Sequence, residues 1–482
     1  MSVGISGGGR VSGRRLAELL GNWRTPDTRQ SSTELAAAIR LLVREGQLPA
    51  GTQLPAEREL AEALRISRTM VTSALDRLRE EGAATSRRGS GSWITLPGST
   101  HPVERPASPD LINLAQAAPE AVNELAAAVE AARGQLPEHL AGNGYHQRGL
   151  PLLRKRIADR YTARGLATSP DQIVVTNGAH HAFVLVGRML TGPGDRILVE
   201  HPTYPNALDA IRAHNLLPIS VAMRPDGWSL PEIDAALRQS APKLAYLVLD
   251  FQNPTGHRMS DEDRERLAAA LHRTRTPAVV DETLAEIDLD GDPAQAPAPL
   301  AAYSPDQVMM IGSASKSYWG GLRLGWIRAS VELADRIVTG RSAYDLGAPL
   351  FEQLVLAELL IDPVPILARH CANLALRRDI LCDALAENCP QWSFRRPSGG
   401  LSVWCELDQP VSTRLAVTGQ ALGLRLVPGS RFGPHGGLER WLRVPFGLPP
   451  AQLRDAAWRL GRLAAAVGAP GAEPDDTPTA VT

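Results

Sequence analysis

The segment SASKSYWGGLRLG, Ser313–Gly325, decides how this sequence is interpreted, because it contains one of only three lysines in 482 residues. The chain has 51 cationic side chains, and all of them except Lys155, Lys243 and Lys316 are arginines. Arginine stays protonated in proteins, whereas a lysine amine can lose its proton and form a Schiff base with an aldehyde. Small residues on both sides of Lys316 indicate a tight loop, so we predict a functional amine here, with a surface lysine as the alternative.

Short apolar runs alternate with amphipathic helices from about residue 113 to residue 467, which predicts an α/β domain with buried parallel strands. Five of the runs are followed directly by polar segments. TNGAHH follows QIVV, HPTYPN follows RILVE, NPTG follows LAYLVLDFQ, DE follows AVV, and SASKSYWGG follows VMMIG. The carboxyl ends of strands in an open α/β sheet converge on one crevice. We therefore expect a single ligand site, although each segment alone would be an ordinary loop.

The residues expected in this crevice have the chemistry that binds pyridoxal phosphate. Lys316 would supply the Schiff base and Asp281 would pair with the pyridinium nitrogen, although a lone Asp is more often a helix cap. Asn253 could donate to the phenolate oxygen, and Tyr204 could stack on the ring. Helix-start amides, hydroxyls and a guanidinium suit the phosphate dianion. These phosphate candidates are Gly178, Ala179, His180, Ser313, Ser315 and Arg323.

The N-terminal part of the chain has a different charge and a different pattern. Residues 1–98 contain 14 arginines and 10 acidic residues, net +4, while the remainder is net −5. Helix signals follow Ser32 or Thr33 and then cover Glu57–Leu64, and Ser67 is expected to cap a third helix that Gly82 ends. The segment ATSRRGSGSWI then predicts a hairpin, so the whole indicates a helix-turn-helix with a wing. Small bundles without a nucleic-acid role share this pattern.

Exposed residues of this module are candidates for DNA contact. If the third helix enters the major groove, Arg68, Thr69 and Thr72 would face phosphates and base edges. Arg58 would contact the backbone from the start of the second helix. The wing candidates, which would reach the flanking groove, are Arg87, Arg88 and Gly89.

The segment LPAERELAEALRISRTMVTSALDRLREEGAATSRRGSGSWI resembles the winged helix-turn-helix of GntR-type transcription regulators. The resemblance implies binding to double-stranded operator DNA through Arg58, Arg68, Arg87, Arg88 and Gly89. Many members of that family have Arg where this chain has Thr72, and the resemblance therefore leaves the base preference open.

The C-terminal segments resemble fold-type I pyridoxal phosphate enzymes of the aminotransferase class I/II group. The resemblance matches Lys316, Ser313 and Arg323 to the family's SxSKxxxPGLRxG motif, with Gly320 in place of its Pro. It implies that Tyr145 reaches the phosphate of a partner subunit, hence a homodimer, and that Arg443 holds a substrate or effector carboxylate. The implied fold is an α/β large domain with a smaller α+β C-terminal domain.

A chain that combines these two domains is similar to the MocR family of regulators. They imply a homodimeric transcription regulator that senses an amino compound or pyridoxal phosphate itself. The competing class is a working aminotransferase that carries a DNA-binding module. Aminotransferases usually have a Tyr where this chain has Leu284, and loss of that hydroxyl puts efficient turnover in doubt.

Five regions are expected along the chain. Residues 1–30 form an extension with a short helix, 31–95 the winged helix-turn-helix, 96–112 a Pro-rich linker, 113–467 the cofactor-binding domain and 468–482 a disordered tail. No apolar run suits a membrane span or a secretory signal, and the four cysteines suit neither a disulfide scaffold nor a metal knuckle. We therefore expect a cytoplasmic protein without a metal site.

Overall fold

The computed structural model describes residues 9–24, 31–87, 91–95, 110–292 and 295–468, with only the backbone of Arg87. The predicted wing residues Arg88 and Gly89 lie outside the described residues, as do linker residues 96–109 and tail residues 469–482. None of the helices in the described part of the chain combines the length and apolarity needed to cross a bilayer.

The N-terminal module contains four helices and a hairpin within its described residues. They are α1 (Gly13–Leu20), α2 (Ser31–Arg44), α3 (Glu57–Leu64), α4 (Arg68–Glu80), β1 (Ala84–Arg87) and β2 (Gly91–Ile94). Helix α4 begins where predicted, because the Ser67 hydroxyl accepts a hydrogen bond from the Met70 amide at 3.2 Å. The chain leaves the helix through Gly82, whose φ of 71° favours glycine.

Helix α1 belongs to the core of this module, although the sequence predicted a separate extension. Leu16 and Leu20 are buried in one cluster with Ile39 of α2, Leu60 of α3 and Leu75 of α4. The Glu59 carboxylate also accepts a hydrogen bond from the Gly13 amide at 2.7 Å. The N-terminal module is therefore a four-helix unit.

The large domain is built on one seven-stranded sheet. Its elements, with the short strand that precedes them, are β3 (Ile112–Asn113), α5 (Leu125–His139), α6 (Pro151–Ala163), β4 (Ile173–Thr176), α7 (Ala179–Leu190), β5 (Arg196–His201), α8 (Pro205–Ala213), β6 (Leu217–Ala222), α9 (Leu230–Ser240), β7 (Leu244–Leu247), α10 (Asp261–Thr274), β8 (Ala278–Asp281), β9 (Val308–Ser313), α11 (Ala314–Ser317), β10 (Gly325–Arg328) and α12 (Val331–Arg341). The strand order is β4-β10-β9-β8-β7-β5-β6.

The five apolar runs are confirmed as strands, and two strands were missed. Strand β6 pairs parallel to β5 at the edge of the sheet, whereas β10 lies antiparallel between β4 and β9. Only residues 314–324, which include the short helix α11 with Lys316, separate β9 from β10. A parallel return requires a crossover of a dozen or more residues, so this short connection forces the antiparallel direction and holds Lys316 at the carboxyl end of β9.

The C-terminal domain packs helices against a second sheet. Its elements are α13 (Leu350–Leu359), α14 (Pro363–Asn388), β11 (Ser393–Phe394), β12 (Ser402–Glu406), α15 (Ser412–Thr418), β13 (Leu424–Arg425), β14 (Trp441–Pro445) and α16 (Pro450–Gly468). Strands β11, β12 and β14 form an antiparallel sheet, and β13 pairs parallel to β3. The expected linker boundary therefore falls within β3, which begins at Ile112. Helix α14 and helix α16 cover an apolar core in which Val403 and Val444 are fully buried.

The N-terminal module packs directly on this C-terminal domain. Leu41 of α2 is buried in the C-terminal core cluster, and Val417 of α15 packs against the core of the N-terminal module. The Asn22 side chain donates a hydrogen bond of 2.6 Å to the carbonyl of Pro410, and the Asn22 amide donates to the Glu439 carboxylate. The two units are therefore joined by contacts as well as by the chain.

We expect Leu16→Ala to destabilise the N-terminal module by about 2–5 kcal/mol, because it opens a cavity where α1 meets α2 and α3. Native-state hydrogen exchange of the α3 and α4 amides measures this change. Arg14→Ala on the exposed side of the same helix should change the free energy of unfolding by less than about 0.5 kcal/mol. Equal exchange rates in both variants would show that α1 is a dispensable extension.

Candidate functional site

A cavity of about 660 Å³ lies where strands β4, β8 and β9 end. It contains nearly all the residues that the sequence predicted for the cofactor. Those lining the cavity are Gly178, Ala179, His180, Tyr204, Asn253, Asp281, Leu284, Ser313, Ser315, Lys316, Arg323 and Arg443. The structure thus brings together side chains that are up to 265 positions apart in the sequence, between Gly178 and Arg443.

The Lys316 amine is half-buried in this cavity and donates a hydrogen bond of 2.7 Å to the carbonyl of Ala117. Burial, together with the positive charges of Arg443 and Arg323, lowers the pKa of Lys316 to about 8, while Asp281 opposes the shift. A substantial fraction of the amine is therefore neutral near physiological pH, which a nucleophilic lysine requires.

Asp281 is held at the end of β8 with its charge available to a cation. One carboxylate oxygen accepts a hydrogen bond of 2.8 Å from the hydroxyl of Tyr246, and the other accepts one of 2.9 Å from the Thr283 amide. No arginine or lysine in the described part of the chain forms an ion pair with it. This buried carboxylate therefore fits the protonated pyridine nitrogen of pyridoxal phosphate.

Sequence analysis missed Tyr246, which lines the same cavity in the middle of β7. The ring packs on Phe183 with centroids 4.6 Å apart, and burial with the nearby Asp281 raises the pKa of the Tyr246 hydroxyl well above its ordinary value. A buried tyrosine usually finds a hydrogen-bond partner. The tyrosine within the apolar run LAYLVLD was therefore a usable signal for a polar residue nearby.

The opposite end of the cavity has the form of an anion cradle. Gly178 precedes α7 with φ 92°, and a Cβ there would lie 3.3 Å from Arg323 Nη2. A Cβ on Gly325 would lie only 2.6 Å from the Ala179 nitrogen, so β10 can approach the start of α7 only because position 325 is a glycine. Helix-start amides, Ser315 and a guanidinium thus converge where a phosphate would fit.

Arg443 lies on β14, on the C-terminal side of the cavity. Its Nη2 donates to the carbonyl of Ala115 at 2.7 Å and its Nη1 donates to Asn253 Oδ1 at 3.3 Å, whereas its buried Nε has no hydrogen-bond partner. Burial lowers the pKa of Arg443 to about 10. An orphaned donor on a buried cation fits an anionic ligand.

Tyr145 is the one predicted cofactor residue that does not line the cavity of its own chain. Its side chain is 62% exposed, and its amide is held by Asn143 at 3.1 Å. Leu284 lies where the sequence expected it and contributes no hydroxyl to the cavity. The expected contact of Tyr145 with a partner's phosphate remains a prediction.

The predicted DNA-binding face is exposed at Arg58, Arg68 and Thr69. Arg58 pairs with Glu62 one turn away at 3.0 Å, which leaves a side chain 79% exposed. The Thr72 hydroxyl instead donates to Glu57 Oε2 at 2.7 Å, so it ties α4 to α3. Side-chain positions of Arg87, Arg88 and Gly89 lie outside the described residues.

Comparison with known proteins gives the two halves their families. A model described as "aminotransferase class I and II" matches residues 109–460. The chain belongs to this family. A second model, for bacterial regulatory proteins of the gntR family, matches residues 31–94. The chain therefore fuses a GntR helix-turn-helix domain to an aminotransferase class I and II domain, and this fold supports pyridoxal phosphate as its cofactor.

Both regulators and aminotransferases are among the proteins similar to this chain. The probable rhizopine catabolism regulatory protein MocR of Rhizobium meliloti is 26% identical over 93% of this chain and 96% of its own. The 2-aminoadipate transaminase of Thermus thermophilus is 29% identical over 63% of this chain and 77% of its own. The crystal structure of LysN from Thermus thermophilus, complexed with N-(5'-phosphopyridoxyl)-L-leucine, has a TM-score of 0.69 and 26% identity, covering 76% of this chain and 94% of that one.

We expect covalent attachment of pyridoxal phosphate to Lys316 to accelerate as the pH rises through about 8, because only the neutral amine attacks the aldehyde. Mixing the cofactor-free protein with pyridoxal phosphate and following visible absorbance measures the rate at each pH. Lys316→Ala, trapped with borohydride, controls for attachment at Lys155 and Lys243. A rate that stays flat on both sides of pH 8 would contradict the lowered pKa.

Proposed function

We propose that this protein is a pyridoxal phosphate-dependent transcription regulator of the MocR/GntR type, whose aminotransferase-like domain responds to an amino compound. The observation that carries the proposal is that Lys316, Asp281 and Arg443 line one cavity in a chain whose DNA-binding module packs on the same domain. The cytoplasm, where operator DNA is accessible, is the corresponding location.

Each cofactor residue has an assigned role. Bound pyridoxal phosphate supplies an electrophilic carbon and an electron-withdrawing ring. Lys316 provides the attacking amine, Asp281 keeps the ring nitrogen protonated, and Tyr204 covers the ring face. The phosphate would be held by helix-start amides, hydroxyls and the Arg323 guanidinium. The other candidates, all of which line the cavity, are Gly178, Ala179, His180, Ser313 and Ser315.

The effector of this proposal is an amino acid. Arg443 would bind its carboxylate, since the unused Nε and the lowered pKa both indicate a cation without a permanent anion beside it. The amino group would then lie toward Lys316. The similarity to the 2-aminoadipate transaminase of Thermus thermophilus supports this class, as does the structure of LysN, an alpha-aminoadipate aminotransferase of the same strain, with a phosphopyridoxyl amino acid.

A homodimer would present two winged helices to two half-sites of the operator. Tyr145, which is exposed in the single chain, would reach the phosphate of the partner subunit. DNA contact would come from the exposed face of α4 and its neighbours, namely Arg58, Arg68, Thr69 and Thr72, and from the wing residues Arg87, Arg88 and Gly89. Effector binding then changes DNA affinity only if it is stronger in one arrangement of the domains than in another.

An active aminotransferase is the second candidate, favoured by the buried Lys316 with its lowered pKa, since a neutral amine can also carry a proton during turnover. Leu284 argues against it, because an apolar side chain occupies the position from which a tyrosine hydroxyl would donate to the cofactor. A third possibility, a sensor of pyridoxal phosphate alone, requires no amine.

We expect Arg68→Ala to weaken binding to DNA from the promoter of the protein's own gene by roughly 1–3 kcal/mol, or roughly fivefold to 150-fold, without changing cofactor absorbance. Fluorescence anisotropy at several salt concentrations measures the loss of affinity. The plot of log affinity against log salt concentration should also become less steep. Arg77→Ala, at the other end of α4, is the matched control. Equal losses in both variants, or loss of cofactor together with DNA binding, would argue against a specific contact.

Turnover separates the regulator from the aminotransferase. We expect the cofactor-loaded protein to release less than one equivalent of keto acid from an amino acid that changes its absorbance, because Leu284 leaves the phenolate oxygen without a tyrosine donor. The 2-aminoadipate transaminase of Thermus thermophilus, assayed alongside, provides the positive control. Sustained keto-acid release would favour the enzyme, whereas a DNA affinity that responds to pyridoxal phosphate alone would favour the cofactor sensor.

A further inference from the structure

The cavity around Lys316 extends beyond the cofactor residues to the DNA-binding module. Arg44 and Glu45, at the C-terminal end of α2, line it together with Arg425 of β13 and Arg431. Residues of two domains therefore form the outer wall of one cavity. None of these four side chains has a role in cofactor binding, so their contacts indicate what this outer end accommodates.

Arg431 is already committed to protein partners. Its two terminal nitrogens donate to the two carboxylate oxygens of Asp209 at 3.1 and 2.8 Å, and its Nε lies 3.3 Å from Glu45 Oε2. Asp209 is also paired with Arg212 at 3.2 Å. The charge of Asp209 is therefore used locally, and it does not neutralise the remaining arginines of the outer wall.

Arg44 and Arg425 have no such partner. Within the residues that the structure describes, neither guanidinium forms a hydrogen bond or an ion pair with a carboxylate. Arg44 keeps one side exposed to solvent, and Arg425 is half-buried. Desolvation and the charge of Arg425 lower the pKa of Arg44, while Glu45 opposes the shift, so the two cations repel each other across the domain boundary. An anion between them would relieve this repulsion.

Glu45 compensates these two cations only in part. Its buried Oε2 atom makes no hydrogen bond, although Arg431 Nε lies 3.3 Å away, and burial raises the pKa of the carboxyl to about 7 in spite of the nearby arginines. A carboxyl group that is partly protonated at neutral pH leaves a positive surplus at the outer end of the cavity. A second positive site, Arg443, lies deeper in the same cavity.

We infer that Arg44 and Arg425 bind a second carboxylate of the effector, so that the effector is an amino acid with an acidic side chain whose α-carboxylate is held by Arg443. The inference rests on the proposed effector function of this cavity and names the class of ligand that the function requires. A guanidinium pair matches a carboxylate in charge and in hydrogen-bonding geometry.

The same contact would connect the ligand to the DNA-binding module. Arg44 belongs to α2, whose Leu35 and Ile39 pack in one core with Val71 and Leu75 of α4. Arg425 belongs to the C-terminal domain. A ligand held by both arginines therefore binds more tightly when the two domains are docked than when they are apart, which is the differential affinity that linkage demands.

Matched pairs of amino acids test this inference on the full-length protein loaded with pyridoxal phosphate. The pairs are L-aspartate with L-2-aminobutyrate, L-glutamate with L-norvaline, and L-2-aminoadipate with L-norleucine, in which a methyl group replaces the second carboxylate. Titration followed by visible absorbance and by calorimetry gives the affinity of each. We expect at least one acid to bind about tenfold to a hundredfold more tightly than its partner.

Substitutions assign that preference to residues. In R44Q and in R425Q, the acid of the preferred pair should bind no more than about threefold more tightly than its uncharged partner. R44K should keep part of the preference for the acid. R40Q is the matched control, because Arg40 lies on the same helix and pairs with Glu81 outside the cavity. Using a ratio within each variant removes any general effect on folding or cofactor loading.

The outcomes distinguish this inference from the proposed function. Equal binding of acid and partner in all three pairs would overturn the acidic effector and leave the amino acid effector standing. An acid preference that survives in both R44Q and R425Q would overturn the assignment to these arginines. Absence of any response to all six amino acids would overturn both proposals.

Discussion

The charge on one buried amine constrains the rest of the cavity. Lys316 lies near two guanidinium groups, Arg323 and Arg443, and it is balanced mainly by Asp281 and the carbonyl of Ala117. A protonated lysine there is costly, so the site favours the neutral form that reacts with an aldehyde. The surrounding cations require anions, and a phosphate and a carboxylate are what the fold's cofactor and an amino acid bring. The reactive amine and the ligand sites thus have the same electrostatic origin.

The sheet makes this arrangement possible by bringing distant segments together. Asp281 and Ser313 end neighbouring parallel strands, and the antiparallel β10 returns the chain beside β9 so that the Lys316 loop stays at their carboxyl ends. Gly325 is necessary there, since any side chain would collide with the start of α7. The C-terminal domain closes the other side with Arg443. The cavity therefore depends on packing between domains as much as on the sheet.

Local sequence signals predicted a large part of this structure, because caps, apolar runs and strand-end polar segments are local physical features. Helix α3 has the predicted bounds, Ser67 caps α4, and the five strands carry the expected polar ends. Strand β6 escaped prediction because only Val221 of its six residues is buried, and β10 because it is only four residues long and pairs on one side with β4, which is far away in the sequence. The packing of α1 and the approach of Arg44 to the cavity depend on tertiary contacts that no local pattern contains.

The DNA-binding module is attached to the rest of the protein twice, through the fourteen residues between Thr95 and Asp110 and through the contacts of α2 and Asn22. A covalent tether keeps the module at a high effective concentration near its docking surface, so weak contacts suffice to keep it docked. A small molecule with modest affinity can consequently shift the balance between captured and released modules, without dissociating subunits or unfolding any element.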